Sequence, residues 1–367
     1  MIGNVEEIRE ALAGGATLPA TWYSDASVLR LEQERIFRRT WQYAGHAGQV
    51  AEPGDWFTTV AGTIPVVITR DQSGSLNAFV NVCRHRGHIV ATGAGHRETL
   101  QCPYHAWTYG LDGVLRTAPR SEREQDFDAE AFSLLPVQIQ AWGPLLFVNS
   151  DLDAAPLEEA LGPLPAHIAS GGLELERVRF RERCEWEIAA DWKVGIENYL
   201  ECYHCPVAHP GFSKVIDVDP DAYVLSSDGL VSSQFGTPRD RALTGDGKSP
   251  YDARGEVAQA QYHLLWPNTT INVEAGPGNI SVDVTRPNGP GRSFGATDYF
   301  FYEDVSDETA QAMMAFANQV GMEDAGLVES VQRGLDTGMV PQGRLLLSSE
   351  HLIQHFQRLV FEALAES

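Results

Sequence analysis

The sequence has little of what marks membrane-bound, secreted or nucleic-acid-binding proteins. It has no stretch of about 20 uninterrupted apolar residues, which a membrane-spanning helix would require. Its 27 Lys and Arg stand against 50 Asp and Glu, for a formal net charge of -23, which argues against contact with nucleic acid or anionic membranes. The first residues are partly acidic and lack an apolar run, unlike a signal or transit peptide. We therefore expect a cytoplasmic protein.

Cysteine is also scarce, and a dinucleotide-binding fingerprint is missing. Five cysteines in 367 residues form an odd set, and a reducing compartment favours thiol ligands over disulfides. Without a G-x-G-x-x-G motif, the chain is not expected to accept electrons directly from NADH. Apolar residues make up 43% and charged residues 21%, which is typical of folded globular proteins.

The residue pattern divides the chain into three parts. Residues 27–40 place apolar side chains among charges at helical spacing, and we assign 1–40 to an N-terminal helical segment that packs on the third part. Residues 41–150 contain short β-branched and aromatic runs between turns, typical of an antiparallel β domain. Residues 151–367 mix strands with a helical stretch at 191–205. Two helices are predicted there at 307–335, with a possible break near Gly321, and at 348–364, with Ser348 as N-cap.

A first group of potential ligands lies in the β-rich part. Cys83-x-His85 is followed, after 16 residues, by Cys102-x-x-His105. Two thiolates and two imidazoles suit a [2Fe–2S] cluster, with the cysteines on one iron and the histidines on the other. A structural zinc site is the alternative, since Cys₂His₂ is also a zinc set. The pairing of one Cys with one His in each loop favours the cluster.

A second group lies in the third part of the chain. His204 and His209 are five residues apart and are preceded by Glu197 and Glu201. Two such histidines can bind one ion if a helix ends between them, and Pro206 favours such an end. Cys202 and Cys205 flank His204 and could form a redox pair, although two buried thiols are the preferred interpretation.

Both groups resemble the motifs of Rieske non-haem iron oxygenases. The sequences Cys-Arg-His-Arg-Gly at 83–87 and Cys-Pro-Tyr-His at 102–105 match the Rieske pattern, except that Ala106 replaces the usual Gly, a change expected to cost little. An acidic residue three before His204, with a second His five after it, is similar to the mononuclear iron motif of the oxygenase component. The resemblance extends along the chain, because a Rieske domain comes first and a larger catalytic domain follows.

The resemblance implies an α+β protein, with an antiparallel β Rieske domain at 41–150 and a helix-grip catalytic domain at 151–367. It implies two cofactors, a [2Fe–2S] cluster on Cys83, His85, Cys102 and His105, and Fe(II) in a 2-His-1-carboxylate triad. His204 and His209 match the imidazole ligands. The third ligand is expected on a later helix, where Asp324 shares a face with four apolar residues: Leu327, Val328, Val331 and Leu335. Glu323 and Glu329 are the alternatives.

The same resemblance suggests the reaction and the partners. Glu201 stands where the family usually has Asp, a residue that links the first iron-binding His to the second Rieske His of a neighbouring protomer. With the surrounding sequence at 198–206, it looks most like members acting on quaternary ammonium compounds and betaines, such as carnitine, glycine betaine and proline betaine. We expect O₂-dependent monooxygenation with N-demethylation or C–N cleavage; hydroxylation or O-demethylation of an aromatic acid is the alternative. A separate flavin and iron–sulfur reductase and a homotrimer are expected.

A quaternary ammonium substrate would also require an aromatic cage, since ring faces attract cations. The aromatic residues near the predicted iron motif and in the strands of the third part provide six candidates: Tyr199, Tyr203, Phe235, Tyr262, Trp266 and Phe301.

Overall fold

A computed structural model describes residues 4–245 and 249–365. The chain forms two compact units, one of residues 37–157 and one that combines the residues up to 36 with those from 158 onward. Within the described ranges, no helix is both long and apolar enough to cross a membrane.

The N-terminal segment contains two short helices, α1 (Val5–Ala13) and α2 (Ala26–Glu32). Each begins at a capping side chain, because Asn4 accepts a hydrogen bond from the Glu6 N–H and Asp25 accepts one from the Ser27 N–H. The predicted helix at 27–40 is present, but its α-helical part ends at Glu32 and continues as a π-helix over Gln33–Phe37. α1 was not predicted from the sequence.

The unit of residues 37–157 is built from two antiparallel sheets. Its strands are β1 (Gln42–His46), β2 (Asp55–Ala61), β3 (Ile64–Arg70), β4 (Leu76–Val80), β5 (Ala94–His96), β6 (Thr99–Gln101), β7 (Thr108–Gly110), β8 (Leu115–Thr117), β9 (Pro136–Trp142) and β10 (Leu145–Asn149). Seven strands form a sheet in the order β1-β10-β9-β4-β3-β2-β5, and β6-β7-β8 form a second sheet. The antiparallel β architecture predicted for this region is confirmed.

The second unit places helices around one curved sheet. Its elements are α3 (Leu157–Leu161), α4 (Leu164–Ser170), β11 (Val178–Ile188), α5 (Trp192–Tyr199), α6 (Cys205–Ala208), α7 (Phe212–Val215), β12 (Val224–Asp228), β13 (Val231–Gly236), β14 (Ala260–Leu265), β15 (Thr269–Val273), β16 (Asn279–Pro287), β17 (Ser293–Tyr302), α8 (Asp307–Asp336) and α9 (Leu347–Ala365). The seven strands run antiparallel in the order β11-β17-β16-β15-β14-β13-β12. α5 contacts both α8 and β16, so the α+β prediction is confirmed.

Three details of the helix predictions were wrong. The stretch at 191–205 stops being helical at Tyr199, and Pro206 lies in the first turn of α6, where proline is tolerated. α8 is continuous through Gly321, because an isolated glycine in a helix costs only about 1 kcal/mol. Ser348 lies inside α9, and the Leu346 N–H that precedes the helix donates to the Glu350 carboxylate.

Candidate active site

The loops that carry the first Cys/His group have the same backbone geometry. In each loop the N–H of the cysteine donates to the carbonyl five residues later, at 2.8 Å for both Cys83 and Cys102. In each loop the cysteine carbonyl accepts from the N–H four residues later, and that residue has a left-handed backbone, with φ of 75° at Gly87 and 58° at Ala106. A left-handed conformation costs a non-glycine residue about 1 kcal/mol. The Ala106 change is therefore less neutral than the sequence suggested.

The four side chains of these loops lie together, with sulfur inside and imidazole outside. Cys83 and Cys102 are each 2% exposed and free of disulfides. Burial, together with the neighbouring Cys83 thiol, raises the pKa of Cys102. The rings of His85 and His105 lie 4.6 Å apart between centroids. Burial, with the charges of His85 and Arg86, lowers the pKa of His105, which favours the neutral ring that metal binding needs.

The second group brings three potential ligand atoms to one point. His204 and His209 flank the four-residue helix α6, and Asp324 lies on α8. His209 Nε2 lies 3.0 Å from His204 Nε2 and 2.9 Å from Asp324 Oδ1. His204 Nε2 lies 3.4 Å from the same oxygen. All three atoms lie within 4.8 Å of one another, a spacing that suits one metal ion with open coordination positions.

Two further carboxylates hold the imidazole rings from behind. Glu201 contacts Nδ1 of His204, and Glu323 Oε2 lies 2.8 Å from Nδ1 of His209. Carboxylates in this position fix the tautomer and orient the opposite nitrogen, as they do around metal-binding histidines. Glu323 is therefore placed behind the ring and not among the three converging atoms. Glu329 is directed elsewhere and accepts a hydrogen bond from the Ala189 N–H.

The electrostatics of the three converging side chains favour a positive charge between them. Burial would lower the pKa of His204, but Asp324 and Glu201 outweigh it and raise that pKa to about 9. Burial would raise the pKa of Asp324, but hydrogen bonds from His204 and His209 hold it at about 2. The donor set, its geometry and its charge thus fit a divalent cation.

The apolar helical face predicted beside Asp324 is only partly buried. Val328 is buried as expected, whereas Leu327 and Val331 are 41% and 51% exposed. The prediction of two thiols at Cys202 and Cys205 was wrong. The structure joins them in a disulfide, and both residues are buried in the core beside α6.

A cavity of about 740 Å³ opens on the three converging side chains. Of the six cage candidates, Tyr199, Tyr262 and Phe301 line it. Tyr203 is 62% exposed, Phe235 packs on the rings of two histidines and Trp266 packs on α5 and α9. Other rings that line the cavity were not predicted, because they come from segments distant in sequence: Trp186, Phe212, Tyr223, Tyr299 and Phe316.

Two carboxylates deep in the cavity were also missed. Glu274 follows β15 and accepts hydrogen bonds from the hydroxyls of Tyr251 and Tyr262, at 3.3 and 2.9 Å. Asp283 on β16 accepts from three neutral side chains: Thr270, Asn272 and Thr297. An acidic residue at a cavity-facing strand position was the available signal, but it becomes visible only once the sheet register is known.

Comparison with known proteins agrees with this geometry. Residues 40–137 match the Rieske [2Fe-2S] domain and residues 175–366 match the catalytic domain of the ring hydroxylating alpha subunit. The chain is 32% identical to the carnitine monooxygenase oxygenase subunit of Acinetobacter pittii, over 94% of each protein. It is 31% identical to the chloroplastic choline monooxygenase of Spinacia oleracea, over 93% of this chain and 76% of that protein. It also resembles the crystal structure of the quaternary ammonium Rieske monooxygenase CntA with substrate L-carnitine, with a TM-score of 0.82, 31% identity and 95% of each chain covered.

The fold and the two matches define a Rieske-type oxygenase. The chain belongs to the family of ring hydroxylating oxygenase alpha subunits with a Rieske domain. It is therefore an enzyme, the oxygenase component of a Rieske system, and its cofactors are a [2Fe–2S] cluster and mononuclear Fe(II). The predictions of fold, enzyme class and cofactors are confirmed.

Proposed function

We propose that this oxygenase monooxygenates a quaternary ammonium compound, with N-demethylation or C–N cleavage as the outcome. The observation that carries the proposal is the cavity, which joins the three converging side chains to a wall of aromatic rings. Ring faces attract quaternary nitrogen by cation–π interaction. The similarity to proteins named carnitine and choline monooxygenases supports the same substrate class.

We assign the metal ligands residue by residue. Cys83 and Cys102 would hold one iron of the cluster and His85 and His105 the other. The burial of the two cysteines and the proximity of the two imidazole rings support this assignment. The mononuclear iron would be held by three side chains: His204, His209 and Asp324. When bound, this iron supplies O₂ activation. Glu201 and Glu323 then orient the two imidazole ligands, and the rings of the cavity position the substrate.

The reaction balances with O₂ and two electrons. Hydroxylation of an N-methyl group consumes O₂, two electrons and two protons, inserts one oxygen atom into a C–H bond and releases water. The resulting N–CH₂OH group breaks its C–N bond to give the tertiary amine, formaldehyde and a proton. Hydroxylation of another carbon next to nitrogen releases the tertiary amine and an aldehyde in the same way. The electrons come from a separate flavin and iron–sulfur reductase.

The assembly and domain division are further parts of the proposal. A homotrimer would bring His105 of one protomer near Glu201 of the next, where Glu201 contacts His204. Light scattering that shows an active monomer would contradict this route. We keep the division into 1–40, 41–150 and 151–367. It is supported by the grouping of the residues up to 36 with those from 158 onward.

Reconstitution with a reductase tests the proposed function. The purified oxygenase is supplied with NADH, reductase and a panel of ammonium compounds and aromatic acids. Substrate-dependent O₂ uptake, formaldehyde and tertiary amine are measured. We expect amine release from at least one ammonium compound, and a His209→Ala variant should lose mononuclear iron and turnover while it keeps the visible spectrum of the cluster. Turnover of aromatic acids alone would overturn the proposal.

A further inference from the structure

The cavity wall is acidic, and among the described residues its basic side chains are the two histidines of the converging group. Among the lining residues, all in the described part of the chain, none is Lys or Arg. Six of them are carboxylates: Glu185, Glu187, Glu201, Glu274, Asp283 and Asp324. Two of the six contact His204, but the other four have no cationic side chain in the wall to balance them. Glu185 and Glu187 are exposed on β11, whereas Glu274 and Asp283 are partly buried. A predominantly negative field in a cleft concentrates cations and opposes anions.

The negative charge of Glu274 has no cationic side chain as a hydrogen-bond partner. Both of its hydrogen bonds from side chains come from neutral hydroxyls, Tyr251 and Tyr262, and both reach the same atom, Oε2. Its other oxygen accepts no hydrogen bond from any described residue, and the side chain lines the cavity. The backbone is fixed by Asn279, which accepts from the Glu274 N–H at 3.0 Å and donates to its carbonyl at 2.9 Å. A desolvated carboxylate with neutral donors alone is a site for a cation.

The carboxyl of Glu274 adjoins a cluster of aromatic rings. Its donor Tyr262 packs on Phe212 at 5.7 Å, and its donor Tyr251 packs on Phe316 at 5.2 Å. Phe212 and Phe316 stack on each other at 6.3 Å. A carboxylate beside ring faces provides both the ion pair and the cation–π contacts that hold an ammonium group.

Glu274 also lies within electrostatic reach of the side chains near the metal centre. Burial, followed by the charges of Glu274 and Glu201, raises the pKa of Tyr223. Geometry gives the same link, because Tyr262, a donor to Glu274, packs on Phe212, which lies three residues after His209. A nitrogen held at Glu274 would thus lie in the cavity that the three converging side chains also line.

We propose that, among ammonium compounds, this cavity selects those that carry no carboxylate, with Glu274 as counter-ion to the substrate nitrogen. The inference rests on the proposed function and narrows it. Away from the two histidines of the converging group, a substrate carboxylate would meet neutral donors and acids but no Lys or Arg to balance its charge. The preferred class is a net cationic ammonium compound with a neutral arm, such as choline, and not a zwitterion such as L-carnitine.

A pair of ligands matched in size tests this selectivity on the wild-type holoenzyme. γ-Butyrobetaine and its primary amide differ in the charge of one terminal group. We expect calorimetry to show that the amide binds at least about tenfold more tightly, the effect of one charge interaction, and we expect turnover to follow the same order. If γ-butyrobetaine or L-carnitine is bound and turned over as well as the amide, the inference fails and the proposed function stands. If no ammonium compound binds or reacts, both fail.

A variant separates the role of Glu274 from that of the wall as a whole. Glu274→Gln keeps the size of the side chain and an oxygen for the tyrosine hydroxyls but removes the charge. It should weaken binding of the amide by about tenfold and reduce its advantage over γ-butyrobetaine. The control is Asp228→Asn, which removes an exposed carboxylate on β12 of the same sheet. Unchanged amide affinity in Glu274→Gln, with the cluster spectrum and iron content retained, would overturn the assignment of Glu274.

Discussion

Replacement of Lys193 by Met should destabilise the catalytic unit strongly. Lys193 on α5 is completely buried, and its Nζ lies 2.5 Å from Glu32 Oε1 and 2.7 Å from Asp191 Oδ1. The same ammonium group lies over the rings of Tyr23 and Trp192, at 5.2 and 5.3 Å. The Lys193 ammonium thus forms ion pairs with two buried carboxylates, and its pair with Glu32 links the N-terminal segment to α5.

The expected loss of stability follows from the two buried carboxylates, Glu32 and Asp191, that would lose their ion-pair partner. Removal of one partner from a buried ion pair costs about 3–5 kcal/mol, because the remaining charge is desolvated and uncompensated. Burial already raises the pKa of Asp191 to about 7, although Lys193 opposes that shift. Without Lys193 this pKa rises further. An acid with a raised folded-state pKa loses stability as pH increases from its unfolded value towards its folded value. The loss in Lys193→Met should therefore be larger at pH 8 than at pH 5.

Urea unfolding at pH 5 and pH 8, followed by circular dichroism and tryptophan fluorescence, measures both effects. Met keeps most of the aliphatic volume, so a cavity contributes little to the expected loss. Lys214→Met is the matched control, because Lys214 is exposed on α7, and it should change stability by less than about 0.5 kcal/mol. A Lys193→Met protein within about 1 kcal/mol of wild type at pH 8 would refute the reasoning.

Three other predictions concern stability and binding. Burial raises the pKa of Glu197 to about 7, so the wild type should lose up to about 3 kcal/mol between pH 4.5 and pH 7. Glu197→Gln keeps an acceptor for Tyr23 and Gln357 and should flatten that slope in urea titrations. Ala106→Gly should raise the unfolding free energy of the Rieske domain by about 1 kcal/mol, because φ is 58° there; a lower thermal midpoint would contradict this. Burial raises the pKa of Glu274 to about 7, so calorimetric affinity for a cationic ammonium should increase with pH up to about 7 and then level off, and a flat profile would contradict this.

The Cys/His and His/His motifs could be found in the sequence because the residues of each motif lie close together along the chain. Cys83 and His85, like Cys102 and His105, are held by one loop, and the spacing within a loop is fixed by its backbone turn. The two loops even share their hydrogen-bond pattern. Asp324 required more, since its place depends on how α8 packs, and two of the four residues used to orient that helix are exposed.

The substrate wall could not be predicted, because it depends on strand register and on contacts across the fold. The hydrogen bonds that hold the Glu274 carboxyl come from Tyr251 and Tyr262, which belong to other segments of the chain. The disulfide between Cys202 and Cys205 was missed for a different reason. A reducing compartment disfavours disulfides in general, but a separation of three residues brings these two sulfurs together.

Carboxylates with the same chemistry take three roles in this site, and their partners decide which. Asp324 lies between two imidazole nitrogens, so it is ionised and directed at the point where a metal would bind. Glu201 lies behind one ring and orients it. Glu274 accepts hydrogen bonds only from neutral hydroxyls, so no described side chain acts as its cationic counter-ion. A buried carboxyl without a counter-ion is either protonated or paired with a cationic ligand. Ionisation of Glu274 and binding of a cationic ammonium group therefore favour each other, so this carboxyl specifies the charge of the ligand and not its shape.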